Sequence, residues 1–322
     1  MPDESRRGDV NDVVRRRAVR LGHEGERWLD RLPELVEDLE RRWAIVVGEP
    51  LDGGSASFVA RARTADGRDA VLKIEIPGLV WARQAETLAE ARGRGYVRLL
   101  ACDLDRRAML LEALGPPMTV LGLAPERQIV ALCRTLREAW SLPRPAALAV
   151  EPAHEKARAL GDLVRTLWEK LGRPCSAAAA ERALCCAERR AAAFDIERCV
   201  VVHGDPHPGN ALRVPRPRPG AESGFVFVDP DGFLADPAYD LGVILRDWSP
   251  QLLASGGSSD AAALARRYCR LLAGETGVDE TAIWEWGFLE RVSTGLFALD
   301  FGADQLARPY LRTAELLAAS AP

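Results

Sequence analysis

Apolar positions in this chain switch from helical to alternating spacing and then back. From Asp12 to Arg42 the residues Val13, Leu21, Trp28, Leu32, Leu35 and Leu39 recur on one helical side, with Pro33 expected to restart the turn. WAIVVGEPL, FVARART and DAVLKIEI then read as short strands, separated by DGGSAS and by ADGR, the latter a hairpin signal. LVWARQAETLAEAR (79–92) returns to helix, and VRLLACDLD and AMLLEAL form a further strand pair. Beyond GPPM at 115–118 helices are expected at about 125–141, 151–172, 176–194, 259–274, 279–302 and 309–319. Two strands interrupt them, CVVVH and FVFVD, with the Pro-rich loop PRPRPG between. The pattern predicts an α+β, bilobal chain. Its parts are a helical segment (1–42), a small antiparallel β-rich lobe (43–115) and a larger helical lobe (116–322).

Composition narrows the function classes. The 322 residues are 48% apolar and 28% charged, as in globular proteins. No run nears the roughly 18 apolar residues of a membrane span, and MPDESRRGDVNDVVRRR lacks the apolar core of a secretory signal, so a cytoplasmic protein without a membrane partner is expected. A net charge of −4 with no basic domain argues against nucleic acid as a partner, and Arg15–Arg17 reads as a solvated helix face. Seven cysteines without a CxxC spacing read as reduced packing residues. Only three of the 43 basic residues are lysines: Lys73, Lys156 and Lys170. Lys73 sits on a predicted strand and needs a reason.

LDGGSAS supplies one. Flanked by strands, it is neither a Walker loop nor a dinucleotide fingerprint. Gly53 and Gly54 let the backbone N–H groups of Ser55, Ala56 and Ser57 approach a phosphate without Cβ interference, although a plain hairpin turn fits the stretch equally. Lys73, one strand later, can neutralise the α- and β-phosphates of a nucleotide. The helix at 79–92 offers Glu86 and Glu90 to hold it; Glu86 is the expected partner, with Gln84 at the position otherwise suited.

HGDPHPGN and FVFVDPDG each deliver an aspartate at a strand end. Pro206, Pro208 and Gly209 force a tight path between Asp205 and Asn210. Asp205 can then orient an attacking hydroxyl or take its proton, while Asn210 and Asp229 offer hard oxygens to Mg²⁺, which takes few protein ligands. His203 and His207, without a third ligand at metal spacing, read as loop-holding hydrogen-bond residues and not as a zinc site.

These residues resemble the aminoglycoside phosphotransferase family, which shares the protein-kinase-like fold. HGDPHPGN is similar to the family's catalytic loop, and VDPDGFLADPAYDLG to its metal-binding segment plus a structural aspartate, here Asp240. The resemblance spans roughly residues 43–320, and EPLDGGSASFVARA and GRGYVRLLACD look most like the branch of streptomycin 6-phosphotransferases and hydroxyurea kinases. It implies ATP and Mg²⁺ as cofactors, Asp205 as catalytic residue, and Glu112 and Leu114 offering backbone groups to adenine. Gln84 stands where the family usually has the glutamate that pairs with the lysine, and Asp231 replaces a small or basic residue.

Only six residues, Pro230 to Ala235, separate Asp229 from the DPAYD segment. A peptide-docking activation segment needs several times that length, so a small acceptor is expected. Asp231, Asp247, Glu285, Glu290, Asp300 and Asp304 are candidates to meet a polar, cationic one; the bland alternative for each is a solvated helix face. The leading expectation is O-phosphorylation of an aminoglycoside such as streptomycin. A kinase for another small acceptor, or a non-catalytic nucleotide binder, are the alternatives.

Overall fold

Strand alternation decides which side of the amino-terminal sheet carries chemistry. The computed structural model describes residues 10–51, 54, 56–78, 81–144 and 153–320, with the backbone alone for 153–155. The chain forms two compact units, Met1–Gly115 and Pro116–Pro322.

The first unit contains α1 (Asp12–Arg20), α2 (His23–Trp43), β1 (Ile45–Pro50), β2 (Ser57–Thr64), β3 (Asp69–Glu75), α3 (Ala82–Ala91), β4 (Leu99–Asp103) and β5 (Ala108–Glu112). The strands form one antiparallel sheet in the order β1-β2-β3-β5-β4. Ala70, Leu72, Ile74 and Ile76 alternate onto one face. There they join Phe58, Ala60 and Leu110 in a core closed by Val14, Ala18, Trp28, Leu32, Val36 and Leu39 of α1 and α2. The helices before residue 43 thus share the sheet's core and are not a separate segment.

Ion pairs Asp38–Arg106 (2.6 Å) and Arg42–Asp103 (3.2 Å) fix α2 to the β4–β5 end. Lys73 and Glu75 fall on the opposite face, the one that α3 serves. The break between α1 and α2 comes at Leu21–Gly22, whereas Pro33 lies inside α2. A helix can absorb a proline when tertiary burial holds its neighbours, here fully buried Leu32 and Val36.

The second unit contains α4 (Pro125–Ala139), α5 (Ala153–Lys170), α6 (Ala177–Ala192), β6 (Val200–Val202), β7 (Ala211–Arg213), β8 (Phe225–Phe227) and β9 (Phe233–Ala235). It ends with α7 (Ala238–Asp247), α8 (Ser249–Leu253), α9 (Ser258–Thr276), α10 (Glu280–Asp300) and α11 (Asp304–Leu317). The strands make two small antiparallel pairs, β6 with β9 and β7 with β8. α10 is the central helix and packs on α5, α6, α7, α9 and α11.

α7 escapes a reading by periodicity because it has no polar face: Ala238 to Arg246 are all buried. It crosses α10 very closely. A Cβ built on Gly242 would lie 2.5 Å from the Cβ of Trp286, and one on Gly287 2.9 Å from Leu245 Cδ2. Gly242→Ala is therefore expected to destabilise the unit by about 1–3 kcal/mol through overpacking, read as a lower denaturant midpoint. An unchanged midpoint would show that the crossing can widen without cost.

Candidate active site

The catalytic-type loop is built on a buried histidine. His203 follows β6, and its Nδ1 accepts the backbone N–H of Asp205 at 3.1 Å. The ring proton therefore sits on Nε2, which donates to the Val228 carbonyl at 2.8 Å. Burial pushes the imidazole down to about 4, so it is neutral at pH 7. The His203 carbonyl accepts from Asp231 N at 2.7 Å. Two bonds thus tie the end of β6 to the end of β8.

Asp240, fully buried at the start of α7, fixes the same turn. Its carboxylate accepts from His203 N (2.9 Å), Gly204 N (2.8 Å) and Trp140 Nε1 (2.9 Å). Burial raises this carboxyl to about 6, against the pull of those donors. Gly204 has φ +95°, and a Cβ there would meet the Cβ of Asp231 at 2.6 Å, so the turn requires glycine.

Asp205 is half-exposed, and Arg246 of α7 holds one oxygen through Nη2 at 2.9 Å. His207 Nε2 lies 3.5 Å from the other oxygen. Arg246 is itself 8% exposed and anchored by Glu290 (3.1 Å), Asp247 (3.4 Å) and Thr294 Oγ1 (3.0 Å). Burial alone would raise the Asp205 carboxyl. Arg246, then the two histidines, outweigh it and hold the group below the ordinary carboxylate value.

Asn210 is oriented by its own loop. Its Nδ2 donates to the Asp205 carbonyl at 3.0 Å, so the amide oxygen is the end that can serve as a ligand. Val228 N donates to the Asn210 carbonyl at 2.9 Å and extends the β7–β8 ladder. Asn210 and Asp229 therefore emerge at the same end of the hairpin. Asp229 takes a left-handed backbone, φ +59°, a conformation that aspartate tolerates better than most residues. Two hard oxygen donors suit a cation that completes its shell with phosphate oxygens and water. Among the described residues no group of three or more His, Cys, Asp or Glu could hold a metal alone.

In the first unit Lys73 is buried, as is Glu75. Lys73 Nζ lies 2.7 Å from Glu75 Oε1 and 2.9 Å from Gln84 Oε1. The expected partner, Glu86, is corrected: it is exposed. At ~100° per residue, position 86 lies ~200° around α3 from 84, whereas Gln84, Thr87, Leu88 and Ala91 form the buried stripe.

Gly53 and Ser55 lie outside the described residues. Gly54 has φ +82°, and its carbonyl accepts from Asn11 Nδ2 at 3.2 Å. The Ala56 carbonyl accepts from Ile76 N at 3.0 Å, and Ser57 opens β2, buried. Glu112 gives its backbone N–H to the Arg98 carbonyl at 3.0 Å, and Leu114 follows β5 in irregular backbone.

The acidic candidates separate. Asp231 is exposed, and crowding by protein raises its carboxyl to about 6; Lys156 opposes this, while Asp205, Glu290 and Asp229 add to it. Asp247 is half-buried beside Arg246. Glu285 and Glu290 are corrected as cleft-lining residues, because both are buried. Glu285 pairs with Arg190 (2.6 Å) and Arg189 (3.2 Å) across α6 and α10, while Glu290 anchors Arg246. Asp300 pairs with Lys170 and Asp304 with Arg308.

Sequence reasoning missed Arg246 and Glu75. The signal for Arg246 was a lone cation inside the apolar run LGVILRDW. For Glu75 it was the i, i+2 spacing from Lys73 on one strand face.

An antiparallel sheet with a buried lysine, followed by a helical unit carrying an HGD loop, defines a kinase-like phosphotransferase. Solved structures of this fold include a choline kinase from Cryptosporidium parvum, with TM-score 0.59, 10% identity, and 88% of this chain and 94% of that one covered. A spectinomycin phosphotransferase crystallised with ADP and spectinomycin gives TM-score 0.57 and 15% identity, covering 87% of this chain and 96% of that one. The family model for aminoglycoside/hydroxyurea antibiotic resistance kinases matches residues 42–302, and the chain belongs to that family. It is 28% identical to the streptomycin 6-kinase of Streptomyces glaucescens over 293 residues, 89% of each chain. It is 27% identical to the hydroxyurea phosphotransferase of Kitasatospora aureofaciens, over 92% of this chain and 82% of that one. The protein is thus an ATP-dependent kinase of small molecules.

Proposed function

We propose that the protein transfers the γ-phosphoryl group of ATP to a hydroxyl of an aminoglycoside, streptomycin or a close analogue, and so confers resistance. The observation that carries this reading is the Asp205–Arg246 pair at 2.9 Å in the HGD loop of a chain whose relatives include streptomycin 6-kinases. The amino-terminal unit supplies Lys73 and the glycine turn for the phosphates. The carboxy-terminal unit supplies Asp205 for the acceptor hydroxyl, with Asn210 and Asp229 as ligands of Mg²⁺. When bound, that ion would neutralise charge on the phosphates.

The lowered pKa of Asp205 makes it a weak base, ionised throughout the neutral range. Its part is to accept a hydrogen bond from the acceptor hydroxyl, aim the oxygen in line, and take the proton late. That suits a loose transition state, in which positioning and electrostatics supply most of the acceleration. Asp231, exposed beside this loop, is the acidic candidate that remains for a cationic acceptor, since Asp247 is already paired with Arg246. A phosphate of about −1.5 to −2 then spoils the fit of a cationic drug to an anionic RNA target.

Coupled ADP release across a panel of hydroxylated antibiotics tests the reading. Streptomycin-stimulated release with a phosphorylated product is expected. Release stimulated by hydroxyurea alone would favour the second reading, which the Kitasatospora relative supports. No stimulation by any acceptor would overturn both.

A further inference from the structure

We propose that Glu75 is the counter-charge that positions Lys73, a duty this chain has placed on strand β3 while helix α3 contributes only a neutral acceptor. The inference rests on the reading that Lys73 binds nucleotide phosphate. Lys73 Nζ has Glu75 Oε1 at 2.7 Å and Gln84 Oε1 at 2.9 Å, with the Lys73 and Glu75 side chains each 5% exposed. A buried ammonium without a nearby carboxylate would lose its proton or its place. Gln84, the inward residue of α3, is uncharged and offers the ammonium only the carbonyl oxygen of its amide.

Strand geometry makes the arrangement possible. Residues 73 and 75 project from the same face of β3, and their neighbours Leu72 and Ile74 fill the core on the other side. Because both groups ride on one strand, the ion pair does not depend on how α3 is placed. The helix adds aim: its amide fixes a second direction at Nζ. Glu75 and Gln84 are thus positioning residues, acting through Lys73.

Glutamate and glutamine have the same shape, so the charge can be moved without moving atoms. Steady-state kinetics of Glu75→Gln should show KM for ATP raised about ten- to hundredfold, with the acceptor KM little changed, as for loss of a charged hydrogen bond. The double variant Glu75→Gln/Gln84→Glu, which restores one carboxylate beside Nζ, should return KM for ATP to within about threefold of the parent, the effect of at most one ordinary hydrogen bond.

An unchanged KM in Glu75→Gln overturns the inference. If that variant does not fold, the double variant decides: recovery supports the inference, and a raised KM or failure to fold overturns it, since a counter-charge must work from either atom bonded to Nζ. Lys73→Met is run alongside. If it leaves KM for ATP unchanged, the phosphate-binding reading itself fails, whatever Glu75 does.

Discussion

Alanine at Asp205 is expected to lower turnover by about 10²- to 10⁴-fold, the usual worth of acid–base assistance, with KM for ATP little altered. The fold should survive the change. Arg246 loses one partner yet keeps Glu290, Asp247 and Thr294, so no cation is stranded. Asp205 is also half-exposed, which keeps the packing loss small. Circular dichroism matching the parent, with slow streptomycin-stimulated ADP release, is the expected pair of readings. Near-parental turnover would remove Asp205 from the mechanism. A large rise in KM for ATP instead would mean that its role lies in holding the Asn210 end of the loop.

The largest stability effect is expected at Asp240. Its carboxylate accepts three donors, two of them from the backbone of the turn that carries Asp205. Asp240→Ala would bury His203 N–H, Gly204 N–H and the Trp140 indole N–H without partners, at about 1–3 kcal/mol for each donor left unsatisfied, less whatever water can repair. A drop of about 3–5 kcal/mol in the unfolding free energy of the second unit is expected, measured by urea titration. Asp240→Asn keeps one acceptor oxygen but sets an NH₂ against a donor, so it should fall between parent and alanine. A midpoint for Asp240→Ala close to the parent's would show that the turn is held by its prolines and by Asp231 instead.

Strand runs, turn chemistry and the HGDPHPGN and VDPDG segments were legible because each is local: spacing, proline and glycine fix the path of a few residues. What stayed hidden depends on which face an element buries. Glu86 looked the better partner for Lys73 by charge, yet rotation around α3 turns it to water and Gln84 inward. Glu285 and Glu290 have the charge to meet a cationic drug, but α10 is buried nearly all round and both are already paired with arginine. α7 gave no period to detect for the same reason, and with it went Arg246, the residue that holds Asp205. A sequence shows that a charge exists; only packing shows whether it is already neutralised.

The family match and the folded core draw different borders here. The family match opens at residue 42, whereas Leu32, Val36 and Leu39, which roof Phe58, Leu72 and Ile74, come earlier. A polypeptide started where the family match opens would expose a greasy sheet face to water, inviting aggregation before any assay could be run. Anyone trimming this kinase for crystallography or display should cut ahead of Asn11, whose amide also reaches the glycine turn.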